Sequence, residues 1–298
     1  MDITAKMVKD LRECTGAGMM DCKKALAETG GDMEAAIDLL RTKGLAALAK
    51  KAGRATNEGI IGGYVSSDRR VGALVEVNCE TDFVARNADF KAFVAEVATH
   101  VAEAAPSDVA DLMTQTFTGR DATFEEVLGE TVGKIGENIQ VPRFARYELS
   151  ASAGAIAVYV HGVGNIGVMV EVAASDDAIA ASEVLAAFSR DIAMQVAAAA
   201  PIAVRRDEIP SSVVDHEMDI YKAQAAESGK PEAIQEKIAT GRLDKFYKEV
   251  CLLEQDFVKD PDVSVTDYLQ RTAKELGGSI EIVRFERFVL GQTAASDE

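Results

Sequence analysis

The sequence predicts an α+β protein: a bundle of three short helices, then a duplicated core of two three-stranded antiparallel sheets with helices, with a helical hairpin inserted into the second copy. Three observations predict it. Gly59-Ile60-Ile61-Gly62-Gly63-Tyr64-Val65 aligns with Gly154-Ala155-Ile156-Ala157-Val158-Tyr159-Val160 at an offset of 95 residues, and the register continues without a gap to Pro106 against Pro201. Ile139-Gln140-Val141-Pro142-Arg143-Phe144-Ala145-Arg146-Tyr147 aligns with Ile280-Glu281-Ile282-Val283-Arg284-Phe285-Glu286-Arg287-Phe288 at an offset of 141; 141 less 95 leaves 46 extra residues between Pro201 and Ile280. Within each copy, β-branched runs around a turn give way to apolar residues three and four apart, as in Phe90, Phe93, Val94, Val97 and Val101. Two copies make a pseudo-symmetric pair rather than a solenoid. The boundaries read as 1–54 for the bundle and linker, 55–150 for copy one, 151–204 and 248–298 for copy two, and 205–247 for the insert.

The elements follow in order. Thr4 caps a first helix bearing Ile3, Met7, Val8 and Leu11 on one stripe, and Gly16-Ala17-Gly18 ends it. A second helix spans 19–28 and closes at Gly30-Gly31. Asp32 caps a third bearing Ala36, Ile37 and Leu40, with Gly44 just past its end and 45–55 as linker. Such a bundle resembles ubiquitin-associated domains, which suggests binding by analogy. Met19 and Met20 follow a glycine turn and cannot both point inward; methionine adapts to contact surfaces, although an incidental exposed methionine is the alternative. In each core copy come a hairpin, turning at 66–70 and at 161–165, a long helix at about 89–105 and 182–200, more helix, and a closing strand.

The insert reads as two helices joined by Glu227-Ser228-Gly229-Lys230-Pro231. The first carries Val213, Val214, Met218, Tyr221 and Ala225, the second Ile234, Ile238, Leu243 and Phe246. Two burials for this stripe stay open: between the two helices, or against a second copy of the chain in a homodimer.

Composition excludes several classes. A net charge of −17 argues against a nucleic-acid surface, which needs clustered Lys and Arg; it suits solubility, or steering toward a basic partner. Cys14, Cys22, Cys79 and Cys251 form no Cys-x-x-Cys pair and have no histidine at ligand spacing, so no metal or cofactor is expected. No apolar targeting run and no membrane-length segment occur, which makes the cytoplasm the expected compartment.

Copy comparison isolates the candidate site. Tyr64/Tyr159, Gly72/Gly167, Glu76/Glu171 and Phe93/Phe188 are shared and belong to the scaffold. Thr81, Phe83 and Val84 face Asp176, Ala178 and Ile179, and only Asp82/Asp177 persists, so the core of the repeated unit does not require Phe83. Thr81 can cap the segment that follows, which leaves Phe83 at a helix start facing solvent unless something covers it.

The run Val75-Glu76-Val77-Asn78-Cys79-Glu80-Thr81-Asp82-Phe83-Val84-Ala85 resembles the signature of the elongation factor Ts family, nucleotide-exchange factors for elongation factor Tu. Leu11-Arg12, 15–26, Lys134-Ile135-Gly136-Glu137-Asn138-Ile139, Ser228-Gly229-Lys230-Pro231 and Arg284-Phe285 extend the likeness over nearly the whole chain. The resemblance implies a translation elongation factor that promotes GDP release, with Asp82 and Phe83, flanked by Thr81 and Val84, entering near the partner's magnesium. It implies that Arg12, Met19 and Met20 meet the partner's nucleotide-binding domain, and that His161 in the second hairpin loop meets a distal domain. A non-catalytic partner-binding or chaperone-like protein using the same surfaces is the alternative. An enzyme is disfavoured: Cys79 is the one tempting nucleophile, the nearest histidine in sequence is His100, nothing places them together, Glu80 would raise the thiol pKa, and no Gly-rich phosphate loop is present.

Overall fold

The computed structural model describes residues 3–227 and 229–292, so Ser228 of the hairpin joint lies outside the described residues. Three helices open the chain, α1 (Ala5–Thr15), α2 (Met19–Glu28) and α3 (Met33–Lys51). Thr4 Oγ1 accepts from the Met7 amide and Asp32 from the Ala35 amide, and Gly16 closes α1 in the left-handed conformation. Val8, Leu11, Cys22, Ala25, Leu26 and Ala36 form the bundle's small core.

The third helix corrects an expectation. It does not end before Gly44 but runs on to Lys51, through the stretch read as linker. The reason is packing rather than propensity. A Cβ at Gly44 would stand 3.0 Å from the Gly129 carbonyl carbon on α7 (Phe124–Ile135), so the glycine lets two helix backbones cross in contact. The bundle and copy one therefore share one continuous helix.

Copy one is β1 (Glu58–Val65), β2 (Val71–Cys79), α4 (Asp82–Arg86), α5 (Ala88–Ala104), α6 (Val109–Thr114), α7 and β3 (Ile139–Glu148). Copy two is β4 (Gly154–His161), β5 (Ile166–Ala174), α8 (Asp177–Ala180), α9 (Glu183–Ala199), the insert, α12 (Val265–Leu276) and β8 (Ile280–Val289). The sheets are antiparallel with orders β1-β2-β3 and β4-β5-β8, the α+β architecture expected. The duplication extends past the aligned strands. Thr123 with Glu126 and Ser264 with Asp267 form capping boxes at equivalent starts of α7 and α12. α5 and α9 both stop at a left-handed alanine, Ala105 (φ 51°) and Ala200 (φ 46°), ahead of a proline.

Each sheet packs its long helix on one face, with Phe90, Phe93, Val94 and Val97 in copy one and Leu185, Phe188, Ile192 and Val196 in copy two. The opposite faces meet each other around Ile61, Leu74, Tyr147, Ile156, Met169 and Phe288. The approach is close because of the shared glycines. A Cβ at Gly72 would lie 2.6 Å from Ile156 Cγ2, and one at Gly167 2.4 Å from Ile61 Cγ2, each copy lodging its isoleucine against the other's glycine.

Two ion pairs, each made on a buried glutamate, enclose this core. Glu76, fully buried, receives Arg143 Nε at 2.8 Å, and Arg143 Nη2 crosses to donate to the Val289 carbonyl at 2.9 Å. Glu171, also fully buried, receives Arg284 Nε at 2.7 Å, and Arg284 Nη2 crosses to the Glu148 carbonyl at 3.1 Å. The exchange is completed by backbone: Gly291 N–H donates to Glu76 at 2.9 Å and Ser150 N–H to Glu171 at 2.7 Å, each from the opposite copy. The guanidinium groups lie over Phe288 and Tyr147 at 4.1 and 3.9 Å.

The insert holds α10 (Ser211–Ala226) and α11 (Glu232–Val250), followed by a short hairpin of β6 (Asp256–Phe257) and β7 (Asp260–Ser264). Of the two burials left open, the structure contains the first: α10 packs on α11, with Ala225, Ala239 and Leu243 buried, and its base is seated on Ala203, Ile209 and Cys251. Val213, Ile220 and Ile234 stay exposed.

Two outcomes test this packing. Gly167→Val puts methyls where Ile61 already sits and should cost about 1–3 kcal/mol in urea unfolding. Burial raises the Glu171 pKa, but the Ser150 hydroxyl and amide and Arg284 outweigh it and hold it below 4.5. A carboxylate whose folded pKa is depressed stabilises above its unfolded pKa and loses that contribution as pH falls. Glu171→Gln should therefore be less stable than the parent at pH 7, the two converging as pH drops below 4.5.

Candidate functional site

The strand β2 ends at Cys79, and its last residues deliver Thr81 to the start of α4. Thr81 adopts extended backbone (φ −130°, ψ 154°) and its Oγ1 accepts from the Val84 amide at 3.4 Å, the expected cap. α4 has five residues, too few to be stable alone. Ala85 is buried, and Val84 packs on the copy-one core. Phe83 points the other way and is 81% exposed, more than any other large apolar side chain among the described residues. Asp82 is half-exposed and pairs with Arg86 at 3.2 Å on the same short helix.

The other copy sharpens the contrast between these four positions. Asp176 caps α8 as Thr81 caps α4, accepting from the Ile179 amide at 2.9 Å. Ile179 is buried as Val84 is partly buried. Thr81 and Val84 thus do scaffold work common to both copies. Phe83, matched by exposed Ala178, is the position with no structural counterpart.

One neighbour was not singled out from sequence. The Glu137 carboxylate, in the loop after α7, accepts from the Glu80 amide at 3.1 Å, the Thr81 amide at 3.0 Å and the Thr81 hydroxyl at 2.7 Å. The signal that marks this residue is its place in the run Lys134-Ile135-Gly136-Glu137-Asn138-Ile139, one of the segments that carry the family resemblance.

The remaining candidates lie on other elements. Met19 and Met20 open α2 and are both exposed, 57% and 62%, so neither enters the bundle core; Arg12 is exposed on α1. His161 is exposed, but it ends β4 rather than sitting in the loop, and its Nδ1 lies 2.8 Å from Tyr159 Oη. Beyond it, Val163 at the hairpin tip is 65% exposed and was missed, because a single valine in a turn carries no sequence signal. The tip is anchored across the copies, with the Gly164 carbonyl accepting from the Ile61 amide at 2.7 Å.

Cys79 and His100 have separate structural duties. Burial, then Glu137 and Glu58, push the Cys79 thiol up to about 12, and its Sγ lies 3.2 Å from the Thr81 carbonyl. The carboxylate with the larger effect is Glu137, not the adjacent Glu80. His100 is fully buried, its Nδ1 accepting from the Thr118 amide at 3.1 Å, and burial lowers its pKa. Among the described residues no cluster of His, Cys, Asp and Glu could hold a metal, and no helix is long and apolar enough to cross a membrane. A cleft of about 620 Å³ runs between the end of α1 and copy one, and the Lys134–Asp89 ion pair at 3.0 Å lies in its wall.

A family model described as elongation factor TS matches residues 80–292. Similar proteins named elongation factor Ts include one from Trichlorobacter lovleyi, 47% identical over 98% of this chain and 94% of its own length. Another, from Clostridium perfringens, is 50% identical over 97% of this chain and 93% of its own. A third, from Clostridium kluyveri, is 48% identical over 97% and 93%.

Since Val84 is packed and Phe83 is not, truncation should separate them. Phe83→Ala should leave thermal unfolding within about 0.5 kcal/mol of the parent, whereas Val84→Ala should cost about 1 kcal/mol.

Proposed function

We infer a function from the premise that this chain belongs to the elongation factor Ts family and is a translation elongation factor. It binds elongation factor Tu in the cytoplasm and promotes release of GDP, after which GTP rebinds. The observation that carries this reading is Phe83, an aromatic ring held in water at a helix start while the same position in the sister copy is an alanine.

The mechanism is physical. A nucleotide-binding GTPase holds its diphosphate through backbone amides, a lysine and a magnesium ion. Phe83 enters between partner side chains beside that ion, with Asp82 next to it. Burying the ring supplies about 2 kcal/mol. That free energy is available only in a partner conformation that has opened to admit the ring, so it favours the conformation with a displaced metal. Loss of the ion leaves phosphate charge uncompensated and weakens GDP. Coupling is reciprocal, so nucleotide rebinding in turn weakens the factor's hold, and the cycle needs no covalent step.

The other exposed groups serve as grips. Arg12, Met19 and Met20 meet the partner's nucleotide-binding domain, and methionine's flexible thioether suits a surface that must adapt. His161, steadied by Tyr159, meets a distal domain, with Val163 beside it at the hairpin tip.

The test is release of a fluorescent GDP analogue from elongation factor Tu, chased by excess GTP. Substoichiometric chain should accelerate release strongly, and Phe83→Ala should slow the stimulated rate by at least tenfold, the kinetic equivalent of most of the ring's burial. Binding without acceleration would leave the passive partner-binding reading in its place. A normal rate with Phe83→Ala would rule out the wedge.

A further inference from the structure

We propose that Glu137 is a positioning residue for the Phe83 helix, and that with Glu80 and Asn138 it fixes that helix to the end of α3, so that the N-terminal bundle and Phe83 approach the partner as one body.

The inference rests on the exchange reading and on a set of bonds that neither the capping of α4 nor its packing requires. Two glutamates each accept from the other's loop. Glu137 takes the Glu80 and Thr81 amides and the Thr81 hydroxyl, while Glu80 takes the Asn138 amide at 2.6 Å. The Thr81 hydroxyl is thereby directed: it donates to Glu137 at 2.7 Å and keeps its lone pairs for the Val84 amide. Glu137 thus sets both the direction in which the chain leaves β2 and the cap that starts α4.

The same cluster reaches the bundle. Asn138, fully buried, donates through Nδ2 to the Arg54 carbonyl at 2.8 Å, and the Arg54 guanidinium donates to Glu80 at 3.3 Å. Gln140 Nε2 donates to the Ala52 carbonyl at 3.2 Å, and Lys51 Nζ to the Val132 carbonyl at 3.4 Å. These residues close α3, the helix that passes Gly44 and carries the bundle. The Asn138 amide and then Arg54 hold the Glu80 carboxyl below its ordinary pKa, so it stays ionised in the working range.

The sister copy lacks the device. Its equivalent α8 is capped by a carboxylate of its own, Asp176, which accepts the Ile179 amide, and the loop after α12 offers a backbone carbonyl, Ser279, to the Ser175 amide where copy one has the Glu137 carboxylate. A carboxylate brought in from another loop is therefore not needed to start this helix; it appears in the copy that carries the exposed phenylalanine.

The experiment is the GDP-release assay with full-length chain carrying Glu137→Ala, Glu137→Gln, Phe83→Ala and the Phe83→Ala/Glu137→Ala pair, each at saturating and limiting concentration. Glu137→Ala should lower the maximal stimulated rate about tenfold, as expected for a misplaced contact group, with the half-saturating concentration within about threefold of the parent. Glu137→Gln should recover most of the rate, because its carbonyl oxygen still accepts both amides. In the Phe83→Ala background, Glu137→Ala should change nothing further, since a residue acting through Phe83 has nothing left to position. A merely structural role would instead cost the same factor in both backgrounds, and that result, or a normal rate with Glu137→Ala, overturns the inference while leaving the exchange reading intact. A normal rate with Phe83→Ala overturns both. If Glu137→Ala does not fold, Thr81→Val, which removes the hydroxyl donor, carries the same additivity test with the same two outcomes.

Discussion

The fold depends on an exchange of buried charge between its two halves. Two glutamates are wholly removed from water, a state that is costly unless each is paired and its remaining lone pairs are filled. Neither copy can do this alone. Glu76 and Arg143 belong to copy one, yet the Gly291 amide that completes Glu76 and the Val289 carbonyl that takes Arg143 belong to copy two, and the converse holds for Glu171 and Arg284. A copy separated from its sister would keep a half-satisfied buried pair. The apolar contact between Ile61, Leu74, Ile156 and Met169 supplies the free energy of association, and the crossed ion pairs specify its geometry.

Duplication on this frame divides scaffold from function with unusual clarity. Where the copies agree, the structure supplies a packing reason: the glycines admit the opposing isoleucines, the capping boxes start equivalent helices, and a buried polar side chain on each long helix, His100 or Gln195, accepts the amide of a nearby loop, Thr118 or Val258. Where they differ, one copy shows that the unit folds without the feature. Phe83 against Ala178 is such a difference, and the helical insert is another.

Most of this order is legible in the chain itself, because repeats and periodicity are local patterns. The hairpins, the stripes on α5 and α9, the Thr4, Thr81 and Asp32 caps and the exposure of one of Met19 and Met20 follow from spacing and from what each residue type can bond; that both methionines are exposed does not. Long-range closeness is not local, and it accounts for what was misread. Gly44 looks like a helix end because glycine usually is one; only Gly129, brought against it by the tertiary fold, makes it an interior crossing. Glu137 looks like a surface charge, and its three donors are more than fifty residues away. Glu80 looked like the charge acting on Cys79 because it is adjacent, whereas desolvation and Glu137 dominate.

An exposed aromatic ring can convert burial into work on a partner only if it cannot retreat. In the proposed exchange mechanism, a pivoting α4 would relieve insertion by its own motion, and little of the ring's burial free energy would reach the partner. A five-residue helix has almost no stiffness of its own. Its rigidity must come from what holds its ends: Val84 and Ala85 pressed into the core behind it, Thr81 tied to Glu137 before it, and the Asp82–Arg86 pair along it. The strand that feeds it, β2, is the central strand of its sheet, paired on both edges and buried on both faces. The crossed ion pairs that fix β2 against the second copy therefore also fix the base from which Phe83 projects, and the stability of the fold and the force available at the site have the same physical origin.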